Sequence, residues 1–100
     1  MKLAIVVSRD DDWRDARELA IAARAAEADV AMFVMDAAVP ALAADADGRA
    51  ALIEADCELV ACATSAHLLG LSAAAVGVVL GSQDDHAAIV HKADRVVAFT

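Results

Sequence analysis

The chain has 100 residues, is 61% hydrophobic with Trp13, Phe33 and Phe99 as its only aromatics, and carries a formal net charge of −8. That length gives one domain, residues 1–100, with a single modest core built largely from alanine and small aliphatics. The acidic excess without any basic stripe excludes nucleic acid and anionic lipid surfaces as partners, and the apolar run from Leu3 to Val7 is too short for a signal peptide or a membrane span. The protein is expected in the cytoplasm.

"KLAIVV" is a continuous apolar run, the pattern of a strand buried on both faces. Ser8 to Asp12 supply cap oxygens and negative charge for a helix start. From Trp13 to Glu27, Ala16, Leu19, Ala20 and Ala23 recur at helical spacing. "DVAMFVM" is a second buried strand ending at Asp36. Residues 37–46 hold the only proline and read as a loop with at most a short helical turn. Asp47 to Ala55 is a second helix and "CELVAC" a third strand. Thr64 and Ser65 cap a short helix that stops at Gly70. "AVGVVLG" is a fourth strand, whose glycines Gly77 and Gly81 permit a bend or a close backbone approach. Ser82 to Asp85 open a helix running to about Ala93, and "RVVAF" is the last strand. Strands alternating with helices predict a parallel sheet covered on both faces, a three-layer α/β/α sandwich.

In such a sheet, ligands collect where strand carboxyl ends lead into helix N-termini. That rule singles out Ser8, Asp36, Cys62, Thr64, Ser65, Ser82, Gln83 and His86. A thiol at Cys62 would face the positive end of a helix dipole, which favours the nucleophilic thiolate; the alternative is a small, inert core residue. If the third and fourth strands are neighbours, His86 can reach the Cys62 pocket as a proton acceptor or orienting partner; otherwise it is a solvated histidine. Cys57 and Cys62 are five apart, so on one strand they face opposite sides and form no disulfide. The histidines His67, His86 and His91 make no ligand constellation, and Asp10 to Asp12 diverge as helix-start charges, so no metal is expected. "GVVLGS" lacks the lysine and spacing of a phosphate loop, and no cofactor is expected. Trp13 reads as a lid over a pocket or a subunit contact. Ile21 and the run from Leu68 to Val76 read as further subunit contacts.

Three segments together, "AIAARAAEADVAMFVMDAAV", "VACATSAHLLGLS" and "GVVLGSQDDHAAIVHKADRVVAFT", carry a resemblance that spans nearly the whole chain. The chain resembles the DsrE/DsrF/DsrH-like family of small α/β proteins, whose studied members include sulfur-relay carriers. In the middle segment, Cys62, Thr64, Ser65, Gly70 and Leu71 fit the family pattern of strand, cysteine, small residues and glycine. The resemblance implies a five-stranded, mainly parallel sheet and assembly into homotrimers or homohexamers. It further implies a sulfurtransferase-like carrier that holds a persulfide on Cys62 and exchanges sulfur with donor and acceptor proteins. Cys62 and His86 are then the catalytic candidates, with Ser8, Asp36, Thr64, Ser65, Ser82 and Gln83 lining the pocket. Two positions depart from the family pattern. Leu68 and Leu69 stand where sulfur-relay members carry arginines, which removes cations that would stabilise a thiolate, and Ala28 replaces a turn glycine. The competing reading is a non-catalytic oligomeric module that binds a small ligand or anion on helix N-termini, with Cys62 as an inert wall residue.

Overall fold

A computed structural model describes residues 1–100. The elements in chain order are β1 (Lys2–Val7), a 3₁₀ turn (Asp10–Asp12), α1 (Trp13–Ala25), β2 (Asp29–Val34), α2 (Ala38–Ala44) and α3 (Ala46–Glu54). There follow β3 (Glu58–Cys62), α4 (Ala63–Leu68), α5 (Ala73–Val76), β4 (Val79–Gly81), α6 (Gln83–Lys92) and β5 (Arg95–Phe99). The five strands form one sheet in the order β4-β3-β2-β1-β5, and every neighbouring pair is parallel.

The chain steps from β1 to β4 in one direction across the sheet. Right-handed crossovers therefore place α1 to α5 on the same face. The last connection returns across the sheet to β5, beside β1, and puts α6 on the opposite face. The packing follows this division. Trp13, Ala16 and Ala20 of α1, Val39 and Leu42 of α2, Leu52 of α3, Ala66 of α4 and Val76 of α5 share one core with Leu3, Ile5, Val7, Met32 and Val34. Ile89 of α6 packs on the other side with Ala4, Ala31, Phe33, Val60 and Cys62. The sandwich is thus three-layered and unequal, with a single helix as one layer.

Residues 37–46 are more ordered than their sequence suggests. Ala38 to Ala44 form α2, and Pro40 is its third residue. A proline there loses nothing, because the first four N–H groups of a helix have no intrahelical partner. Val39 and Leu42, both fully buried, anchor the helix. The expected fourth strand is also shorter. Ser72 caps α5 by accepting from the Ala75 N–H, Gly77 ends it at φ 77°, and β4 begins only at Val79.

Trp13 is neither a lid nor a surface contact. It is 5% exposed, and its Nε1–H donates to Asp45 Oδ2 at 3.0 Å. Arg17 donates to the same oxygen at 2.6 Å, and Asp45 Oδ1 accepts from the Gly48 N–H at 3.0 Å as the cap of α3. One carboxylate therefore ties α1 to α3. Ile21 is half-buried and packs against the same core.

Candidate functional site

The chain leaves β1, β2 and β3 towards the α1–α5 face and leaves β4 towards α6. Between the carboxyl ends of β3 and β4 the backbone diverges to opposite sides. In an open parallel sheet this switch point is where a ligand crevice forms. Cys62, the last residue of β3, pairs in register with Gly81, the last of β4. A Cβ on Gly81 would lie 2.6 Å from both Val60 Cγ1 and Asp85 Oδ2, so the absence of a side chain lets α6 start against β3.

Cys62 is 3% exposed and is the N-cap of α4, with extended backbone at φ −67°, ψ 119°. Thr64 and Ser65, expected as caps, are instead the second and third residues of that helix. The sulfur takes the place of the usual cap oxygen: the Ser65 N–H lies 3.5 Å from Sγ. From the other face of the sheet, Gln83 Nε2 donates to the same atom at 3.8 Å. Burial pushes the Cys62 thiol up, but the Ser65 hydroxyl and N–H, the Gln83 amide and the Thr64 N–H together outweigh it and hold the thiol below its ordinary pKa. Cys57 is the contrasting case. It packs in the larger core, on the other face of the sheet, and burial raises its thiol, eased by the Arg24 charge and reinforced by that of Asp56. Both cysteines are free.

Ser65 is itself held. Its Oγ accepts from the Asp36 N–H at 2.9 Å and lies 3.5 Å from Asp36 Oδ1. Asp36 adopts φ 50°, a left-handed conformation that aspartate tolerates better than most residues. On the α6 side, Ser82 accepts from the Asp84 N–H at 3.1 Å, while Asp85 Oδ2 accepts from the Ser82 N–H at 2.8 Å. Ser82 thus shapes the helix start rather than offering its hydroxyl to the sulfur. His86 does not bond to Cys62. Its Nδ1 lies 2.9 Å from Gln83 Oε1, and its ring stacks on Phe33 with centroids 4.8 Å apart and planes 8° from parallel.

Hydrogen bonds therefore link Cys62 to Ser65 and Gln83, Ser65 to Asp36, and Gln83 to His86, with Thr64 and Ser82 in the adjoining helix starts. Ser8 stands apart. Its N–H and hydroxyl both turn to the Phe99 carbonyl, at 3.0 and 3.5 Å, and β1 is two strands from β3, about 10 Å across the sheet. Sequence reasoning missed Phe33 as the platform for His86, because no local pattern reveals which α6 residue lands over β2. It did flag Gly81 as a point of close approach. Beside Ser65 lies a shallow depression of about 240 Å³ lined by Asp36, Ala37, Ser65, Leu68 and Leu69, with Leu68 78% exposed at its rim. His67 and His91 are exposed and make no hydrogen bond to the sulfur, and no three His, Cys, Asp or Glu side chains gather where they could hold one metal ion.

The fold is a small all-parallel α/β sandwich with a hydrogen-bonded thiol where β3 and β4 diverge. The chain belongs to the DsrE/DsrF-like family, whose sequence profile matches residues 1–99. Among solved structures, it is similar to a conserved protein of unknown function from Bacteroides thetaiotaomicron, with a TM-score of 0.80, 14% sequence identity and coverage of 98% of this chain and 94% of that chain. At that identity the likeness shows the fold. No curated protein sequence matches significantly. No helix is long and apolar enough to cross a membrane.

Proposed function

We propose that the protein is a sulfur carrier of the DsrE type and that Cys62 is its acceptor thiol. The observation that carries this reading is the pair of donors on one sulfur, the Ser65 N–H from α4 and the Gln83 amide from α6. They favour the anionic form that attacks sulfane sulfur. The Cys62 thiolate attacks the outer sulfur of a donor persulfide, R–S–SH. The new S–S bond forms on Cys62, the donor's S–S bond breaks, and R–S⁻ leaves with its electron pair. Cys62 then carries –S–SH, and an acceptor thiolate removes the outer sulfur by the same exchange in reverse. Leu68 and Leu69 put an apolar rim where cations would otherwise sit, so the two helix starts supply the anion stabilisation. Exposed Leu68, Leu69, Ile53, Val79 and Val96 are the apolar surface that a homotrimer or homohexamer would bury, which light scattering at working concentration checks.

The test is intact-protein mass spectrometry after exposure to inorganic polysulfide. Wild type and Cys57→Ser gain sulfur atoms that dithiothreitol removes, and Cys62→Ser gains none. An adduct on both cysteines, or on neither, defeats the carrier reading. The depression beside Ser65 favours a second reading, a small-ligand module. It becomes the better account if Cys62 stays inert while a ligand protects Leu68 and Leu69 from hydrogen exchange.

A further inference from the structure

Between Cys62 and His86 stands an amide that can face either way. Gln83 and His86 are three residues apart on α6 and so share a face. The Gln83 side chain reaches from His86 Nδ1, 2.9 Å from Oε1, to Cys62 Sγ, 3.8 Å from Nε2. Phe33 lies flat against the imidazole and holds the ring in the plane from which Nδ1 addresses Gln83. We infer that His86 is a positioning residue for the Cys62 thiol: through Nδ1 it fixes which end of the Gln83 amide faces the sulfur. This rests on Cys62 being the working thiol of the sulfur-carrier reading, and gives that thiol a control the reading alone lacks.

Two hydrogen-bonded arrangements are self-consistent. In the first, Nδ1–H donates to Oε1, and Nε2–H points at the sulfur, where it serves a thiolate. In the second, the amide is inverted. Nε2–H donates to an unprotonated Nδ1, and Oε1 faces the sulfur, where it accepts from S–H and repels a thiolate. The imidazolium carries a proton on Nδ1 and admits only the first arrangement. A neutral ring with its proton on Nδ1 keeps the first arrangement too, and that is the arrangement of the structure, with Oε1 towards Nδ1 and Nε2 towards Sγ. The other titratable groups at this edge are Asp36 behind Ser65, Asp84 and Asp85 in the first turn of α6, and His67 on α4. None of them bonds to Gln83 or to Cys62 Sγ. The Gln83 amide is thus the one side chain that meets both the imidazole and the thiol.

The discriminating variant is His86→Phe, which keeps an aromatic ring for Phe33 and removes Nδ1. The readout is the rate of Cys62 alkylation by iodoacetamide against pH, resolved from Cys57 by peptide mass spectrometry. His86→Phe should move the midpoint upward by about half to one pH unit, the size expected from losing one neutral hydrogen bond, here that between Nδ1 and the Gln83 amide. Gln83→Leu, at an exposed position, should shift it similarly and keeps the test independent of any folding defect at His86. The double variant should go no further than either single change, and His86→Asn, whose amide can donate from the place of Nδ1, should restore most of the wild-type profile. An unmoved midpoint in His86→Phe or Gln83→Leu, or shifts that sum in the double variant, overturns the inference. Uptake of sulfur from polysulfide is a separate readout: the expected pH shifts without sulfur uptake leave the inference standing and defeat the carrier reading.

Discussion

Cys62 and Gly81 are register partners at the ends of two parallel strands that leave the sheet in opposite directions, and their adjacency is what brings a donor from each face onto one sulfur. Gly81 makes this possible by having no Cβ to meet Val60 and Asp85. Gly81→Ala should therefore cost about 1–3 kcal/mol by overpacking and should displace Asp85 from the Ser82 N–H. Urea denaturation checks the first effect, and a rise in the alkylation midpoint of Cys62 checks the second. A variant that keeps wild-type stability would show that α6 yields easily at this point.

Ser65→Ala retains the backbone N–H that meets Cys62 but removes the hydroxyl that receives the Asp36 N–H. Leaving that N–H without its partner should cost about 1–2 kcal/mol. The same change removes the hydroxyl that, after burial, weighs most on the Cys62 thiol, so the thiol should rise towards its ordinary value. The alkylation midpoint then moves to higher pH with Thr64 and Gln83 untouched. An unchanged midpoint would assign the lowering to the amides alone.

Burial pushes the Asp45 carboxyl up, but the Trp13 and Arg17 hydrogen bonds, the Gly48 N–H and the Arg17 charge overcome this and hold it below the ordinary carboxylate range. Because folding lowers this group, its contribution to stability is complete above the unfolded value of about 3.9. It is lost as pH falls through the lower folded value. Asp45→Asn should be less stable than wild type near neutrality by about 1–2 kcal/mol, as for loss of a helix cap, and the gap should narrow below about pH 4. Thermal melts of both proteins across that range provide the comparison, and a gap that widens in acid would contradict the assignment.

Gly70 and Gly77 both adopt left-handed backbone, at φ 72° and 77°, but only one of them is crowded. Nothing lies within 4 Å of a Cβ on Gly70, whereas one on Gly77 would come 2.8 Å from Arg49 Nε. Arg49 donates to the Leu42 and Ala43 carbonyls at the end of α2. Gly70→Ala should cost about 1 kcal/mol, the backbone penalty alone. Gly77→Ala should cost measurably more in the same urea titration, because it also shifts Arg49. Equal losses would mean that the guanidinium moves aside freely.

The sequence periodicities located β1, β2, β3 and β5 and the main body of α1 and α6, because buried strands and amphipathic helices write their pattern locally. Pro40 concealed α2, since a proline within the first turn is harmless only once the turn is known to be there. Ser72 and Gly77 bracket α5 as a cap and a stop, but the alanines between them have no face to betray and their valine neighbours suggest a strand. Cys62 was legible as a strand-end thiol. Its role as the cap of α4 was not, because Thr64 and Ser65 are the stronger cap formers by type. The Gln83 bridge depends on which α6 residue lies over β3, and that follows only from the return of the chain across the sheet.

β1 and β5 are neighbours in space and near-opposite ends in order: the Lys2 N–H meets Asp94 Oδ2 at 2.7 Å across a separation of 92 residues. Closing a loop of that length costs about 4 kcal/mol of chain entropy, and contacts so far apart in sequence slow folding. The two ends of α6 are therefore fixed in different ways. Gln83, its first residue, follows directly on β4 and the Ser82 cap, whereas Lys92, its last, leads into the strand that closes the sheet beside β1. The donor that meets Cys62 sits at the end of α6 that local chain connectivity places, away from the end that depends on the longest closure in the chain.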